Sequence, residues 1–143
     1  MDREGFSTID LCEIDLRSGR AEFIKIGGAQ SYLKTQDNIE IVFAKGTPAG
    51  LLENITADTI TRNLGDMDMI VMASDGVSEA GYGMMRGEWI KGLMNTDGIS
   101  NEELAKSIVQ SARKKIYPRT PDDMSAVVIT LHKIIEEGQE KSA

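Results

Sequence analysis

The sequence predicts an α+β domain with mainly antiparallel strands, and three observations lead there. Short strand-like segments follow one another from Ser7 to Ala73, separated by turn residues. Two helical stretches then occupy Glu88 to Ile116. A single apolar run, Met124 to His132, closes the pattern. Strands, then two consecutive helices, then one more strand is the order of an α+β fold.

The elements follow in chain order. Ser7–Leu16 mixes Thr, Ile, Leu and Cys with acids and reads as a strand. Arg17-Ser18-Gly19-Arg20 is a turn, and Ala21–Ile26 is a second strand, so the two form a hairpin. Gly27-Gly28-Ala29 breaks it. Ser31–Lys34 and Ile39–Phe43 are two short strands around Gln36-Asp37-Asn38, and Gly46–Gly50 is a rigid loop. Ile55–Leu64 is rich in Thr and Ile and reads as strand. Met69–Ala73 is apolar on both faces, which predicts a central, covered strand. Glu88–Met94 puts Trp89, Ile90, Leu93 and Met94 on one helical face. Ser100-Asn101-Glu102-Glu103 is a capping box opening a helix with a stripe of Leu104, Ala105, Ile108, Val109, Ala112 and Ile116. Lys114 and Lys115 near its end suit the helix dipole, and Pro118 and Pro121 bracket the loop that follows. From Glu136 the chain is a polar tail.

Composition narrows the functional classes. The chain has 143 residues, enough for one domain with a real core, and its 16 basic against 23 acidic residues give a net charge of −7. That disfavours a nucleic-acid surface, which needs clustered Lys and Arg. It suits cation binding where carboxylates converge. The single cysteine, Cys12, excludes an internal disulfide and fits a reducing, cytoplasmic setting. Cys12 lies inside a strand pattern and reads as a core residue. No apolar run approaches a membrane span, so no membrane contact is expected of this chain.

Two places set Asp at the edge of an apolar strand. Ser74-Asp75-Gly76 follows Met69–Ala73, and Pro121-Asp122-Asp123 precedes the Met124 run. If these strands are antiparallel neighbours, Asp75 and Asp122 converge. Two close carboxylates repel unless a cation sits between them, and Mg²⁺ or Mn²⁺ suits carboxylate and water oxygens. Gly76 leaves room beside such a site, and Glu79 offers a further acid on its rim. On spacing alone, two ordinary turns are the more common reading of these stretches. His132, the only histidine, reads as a surface residue rather than a base.

The motifs in their order resemble the metal-dependent protein phosphatase (PPM) family, and its sporulation branch in particular. The resemblance is carried by Phe6–Leu11 with Ile14–Leu16, Gly19 and Ala21–Gly27, by Pro48-Ala49-Gly50-Leu51, by Ser74–Glu79, and by Asp122-Asp123-Met124-Ser125 with Val127-Val128. It implies a β-sandwich flanked by helices, with two Mn²⁺ or Mg²⁺ ions in a cleft at one end. On matching positions, Asp75 and Asp122 would be metal ligands. Asp123 stands where relatives often have Asn, and Glu79 where they often have an Asp that binds an additional metal. The implied reaction is hydrolysis of phosphoserine or phosphothreonine by a metal-activated water. In the sporulation branch the partner is a phosphorylated anti-anti-sigma factor, whose dephosphorylation releases a sigma factor.

One departure stands out. The family's early Asp-Gly motif, whose Asp bridges both metals, has no match here, since Asp10 and Asp15 lack the following glycine. The expectation is therefore a C-terminal part of the domain over 1–135, with a polar tail over 136–143. Such a fragment is expected to be inactive alone and to self-associate, while its parent is an enzyme, anchored to a membrane if at all through a separate N-terminal region. The alternative is a non-catalytic interaction module with a PPM-derived fold. The retained acids favour the first reading, and the missing bridging Asp favours the second.

Overall fold

A computed structural model of the chain describes residues 5, 7–27, 29–50, 54, 56–81, 87–116 and 122–134. The expected tail, Pro118, Pro121, and the Phe6 and Leu51 positions of the motifs lie outside these residues. Seven strands are described: β1 (Ile9–Ile14), β2 (Arg20–Ile26), β3 (Ser31–Lys34), β4 (Ile39–Val42), β5 (Asp58–Asn63), β6 (Met69–Ala73) and β7 (Ala126–Thr130). Between β6 and β7 come helices α1 (Asp75–Ser78), α2 (Glu88–Met94) and α3 (Asn101–Ile116). Every ladder is antiparallel. One sheet has the order β1-β2-β5 and the other β4-β3-β6-β7.

The alternation of side chains explains the layering. In β2, Ala21, Phe23 and Lys25 are buried while Glu22, Ile24 and Ile26 face outward and stay half-exposed. The inward set meets Leu33, Val42, Leu64 and Ile70 in a core between the two sheets. A second core, with Tyr32, Val71, Ile90, Met94, Leu104 and Ile108, lies between the four-stranded sheet and the helices. Strand β6 serves both cores, Ile70 on one face and Val71 on the other, which is why its sequence shows no alternation. It lies between β3 and β7, the central position expected of it.

Two polar links fix how the sheets stack. Arg62 on β5 donates from Nε to Glu40 Oε2 on β4 at 2.9 Å. Lys25 on β2 donates to Ser31 Oγ at the start of β3 at 2.9 Å. With β5 over β4 and β2 over β3, β1 and β7 are the outermost described strands on the same side of the sandwich. Lys25 is fully buried and also donates to Asp10 Oδ1 at 2.8 Å and to the Ala29 carbonyl at 3.0 Å. Those bonds satisfy its three ammonium protons, which a buried cation requires.

The capping box forms in both directions. The Glu103 amide donates to Ser100 Oγ at 3.2 Å, and the Ser100 amide donates to Glu103 Oε2 at 2.9 Å. Lys34 Nζ donates to the Met94 carbonyl at 2.6 Å and closes the C-terminus of α2. Lys115 sits over the Trp89 ring, 5.4 Å from its centroid, and ties the end of α3 to α2.

Candidate functional site

The acid-bearing loops meet where β6 ends and β7 begins. Ala73 pairs with Ala126 at the last rung of that ladder. Just beyond it, the Ser74 amide donates to the Ser125 carbonyl at 2.9 Å and the Ser125 amide donates to Ser74 Oγ at 3.0 Å. Ser74 Oγ in turn donates to the Asp123 carbonyl at 3.1 Å. The two serines thus clamp the loop that carries Asp122 and Asp123 against the one that carries Asp75.

Asp75 opens α1, a single helical turn where the sequence pattern predicts only the turn or loop that follows β6. The amides of Val77 and Ser78 both donate to the Ser74 carbonyl at 3.0 Å, and the Glu79 amide donates to the Asp75 carbonyl at 2.8 Å. Gly76 explains the closeness of the two loops. A Cβ there would lie 2.5 Å from the Asp123 carbonyl oxygen and 3.4 Å from Asp122 Cβ. The glycine is needed for backbone approach, a different reason from the open space expected of it.

Asp75, Asp122, Asp123 and Glu79 are all exposed. Asp75 Oδ1 accepts from the Gly76 amide at 2.9 Å, and Asp122 Oδ1 accepts from the Asp123 amide at 2.8 Å. Each of these carboxylates keeps its second oxygen without a donor among the described residues. Two hard oxygen donors on one rim fit a divalent cation by chemistry. They do not complete a cage: among the described residues no three acids, histidines or cysteines converge.

The surroundings bring other loops to the same end. Ser31 pairs with Met72, one rung from Ala73, so the Lys25–Asp10–Ser31 cluster lies toward the acid end. Gly27, at φ +67°, is packed against Pro48 with only 2.9 Å between a built Cβ and Pro48 Cα. That contact and the Ser7–Ala49 bridge hold the Pro48-Ala49-Gly50 loop in place. A cleft of about 750 Å³ lies at the opposite end, lined by Lys34, Asp66, Asp68, Asn101 and His132. It is remote from Asp75 and Asp122. His132 is exposed there, as expected of a surface residue. Cys12 points into the inter-sheet core, and burial pushes its thiol pKa up.

Sequence reasoning missed two things at the site. Ser74 and Ser125 act as a clamp, and their signal was their mirrored placement, one before and one after an acid. Lys25 is buried, and its signal was parity, since it shares a strand face with Ala21 and Phe23.

Comparison with known proteins gives the chain's family and its fold relatives. The chain is 32% identical over 132 residues to stage II sporulation protein E of Priestia megaterium, with 90% of this chain and 22% of that protein covered. It is 27% identical over 133 residues to the Bacillus subtilis (strain 168) protein of the same name, of which it covers 16%. Its fold matches the phosphatase domain of the Bacillus subtilis cell-fate determinant SpoIIE, Mn presoaked, with a TM-score of 0.76 at 24% identity. That match covers 92% of this chain and 60% of that domain. The chain therefore spans about a fifth of its curated relatives and three-fifths of the matched phosphatase domain. The expected mixed fold of antiparallel sheets and helices is the one found in that domain. The family model for stage II sporulation protein E (SpoIIE) matches residues 1–132, and the chain belongs to that family.

Proposed function

We propose that this chain is catalytic-domain material of a metal-dependent protein serine/threonine phosphatase. The single observation that carries the reading is the meeting of the loop that bears Asp75 with the loop that bears Asp122 and Asp123, fixed by Gly76 and the Ser74–Ser125 clamp. Family membership and a phosphatase-domain neighbour described as Mn presoaked support it. Asp75 and Asp122 would hold the divalent ion, with Asp123 and Glu79 on the rim beside them. When bound, Mn²⁺ or Mg²⁺ supplies an activated water and offsets the charge developing on a transferred phosphoryl group. The chain's own residues contribute ligand oxygens and, through the clamp, their fixed spacing.

The finer parts of the reading belong to the same proposal. The substrate is phosphoserine on an anti-anti-sigma protein, and its dephosphorylation activates a sporulation sigma factor. The setting is cytoplasmic, in keeping with the lone cysteine. Two donors without a bridging carboxylate leave this chain inactive alone, and its uncovered strand edges drive self-association. The test compares the chain with a full-length SpoIIE-type phosphatase domain carrying it, using phosphorylated anti-anti-sigma protein and Mn²⁺. Turnover by the full domain alone, lost in Asp75→Asn and Asp122→Asn, is the expected result. Full activity in both variants would overturn the ligand assignment.

A further inference from the structure

The inter-sheet core changes character toward the acid end. Its apolar layer of Phe23, Leu33 and Ile70 gives way, two residues further along β2 and two back along β3, to Lys25 and Ser31. Lys25 is the one buried cation among the described residues. Four hydrogen bonds join its group. Lys25 Nζ donates to Asp10 Oδ1, the Ala29 carbonyl and Ser31 Oγ, and Ser31 Oγ donates to Asp10 Oδ2 at 2.9 Å. They tie together β1, the loop between β2 and β3, and β3 itself.

Stability alone does not account for a charged layer here. A buried ion pair gains little over apolar side chains of similar volume, because desolvation offsets its Coulomb attraction. What it adds over packing is direction, since each bond fixes a distance and an angle. The position so fixed is that of the acid loops. Ser31 pairs with Met72, and the next residue, Ala73, leads into Ser74 and Asp75. The Ser74–Ser125 bonds hold the Asp122 loop to the Asp75 loop, so both loops move with the four-stranded sheet. On the other sheet the cluster holds the end of β2, where Gly27 packs against Pro48.

We infer that Lys25, with Asp10 and Ser31, is a positioning residue of the divalent-cation site: it sets where the Asp75 and Asp122 loops stand against the other sheet. Being fully enclosed, its ammonium acts through β3 and β6 rather than on the ion itself. The inference rests on the cation site proposed above and names the group that tunes it. A purely apolar cluster in the same place would keep the fold and lose the fixed stacking at this end.

The test titrates the 143-residue chain with Mn²⁺ and reads the broadening of the amide signals of 74–76 and 122–125 per ion added, with folding checked by circular dichroism. In the wild type these amides broaden first. The triple variant Asp10→Leu/Lys25→Met/Ser31→Ala keeps the net charge, so long-range electrostatics do not change its affinity. It is expected to fold and to broaden with an initial slope roughly tenfold lower or more, the usual loss when groups that orient metal ligands are removed. Phe23→Leu loosens the neighbouring apolar layer and leaves the cluster intact, so it should lower the urea midpoint but not the slope. A folded triple variant with the wild-type slope overturns the inference while the cation site stands. An equal fall in Phe23→Leu overturns it too, because any loosening of the core would then suffice. If the triple variant does not fold, Ser31→Ala decides, since it keeps the ion pair and frees β3 from it. Its slope should fall roughly threefold, the worth of one hydrogen bond, and an unchanged slope overturns the inference. A wild-type chain that broadens elsewhere overturns the cation site itself, and the inference with it.

Discussion

Gly76→Ala should destabilise the chain although it replaces glycine by the best helix former in a helical turn. A Cβ at this position would meet the Asp123 carbonyl oxygen at 2.5 Å and its carbon at 3.3 Å. Ordinary C···O contacts are about 3.3 Å or longer, so the loops must part by roughly 0.8 Å. Both atoms at the contact are tied to backbone, so no side-chain rotation relieves it. Overpacking of this kind costs about 1–3 kcal/mol. Parting the loops also strains the Ser74 bonds to Asp123 and Ser125, which are 3.1 and 3.0 Å long. Helix propensity returns at most about 1 kcal/mol. The net loss is then about 1–2 kcal/mol, read as a lower urea midpoint at constant slope and a melting temperature lower by about 3–8 °C. Gly92→Ala is the control, because a Cβ there has no neighbour within 4 Å. It lies inside α2 and should stabilise by about 0.5–1 kcal/mol. A Gly76→Ala chain as stable as Gly92→Ala would refute the close approach on which the site depends.

Lys25→Met should cost about 3–5 kcal/mol in urea unfolding, because it leaves Asp10 and Ser31 facing each other without their cation. Lys25→Met with Asp10→Leu should be less destabilised than the single change, and equal losses would show that the pair is not coupled. Acid should weaken the fold through Glu103 and Glu40. Bonds from Ser100 hold the Glu103 pKa below its ordinary value, and the Arg62 guanidinium does the same for Glu40. Folded values lie below unfolded ones, so this stability is fully present above the ordinary Glu range near pH 4.3 and is lost as pH falls through the folded values. An NMR titration of Ser100→Ala should show the Glu103 pKa rising, and an unchanged value would contradict the capping-box geometry. The Cys12 thiol, raised by burial, should react with a disulfide reagent at pH 8 far more slowly in the folded than in the urea-unfolded chain.

The strand order could be read from local pattern because most elements announce themselves within six residues. Arg20–Ile26 alternates, Met69–Ala73 does not, and each pattern matches the number of buried faces. The capping box was equally visible, since its two partners are three residues apart. What stayed hidden depends on contacts distant in sequence. Asp10 and Lys25 are fifteen residues apart, and only the stacking of two sheets brings Ser31 to them. That β5 joins β2 while the next strand, β6, joins β3 is likewise a tertiary outcome. Helix α1 escaped notice because one turn is too short to show a helical period. That the loops bearing Asp75 and Asp122 lie side by side followed from two strand edges and one assumption, that β6 and β7 pair antiparallel, and they do.

Binding of a paramagnetic cation at the acid end tests the central claim most directly. Amide spectra of the isotopically labelled chain would be recorded as Mn²⁺ is added. Affinity should be weak, on the order of millimolar, because the described donors leave the ion largely hydrated. The amides of residues 74–76 and 122–125 are expected to broaden first, and the effect should vanish in the Asp75→Asn, Asp122→Asn double variant. Broadening centred instead on Asp66, Asp68 and Asp97, or unchanged by the double variant, would contradict a divalent-cation site built on Asp75 and Asp122.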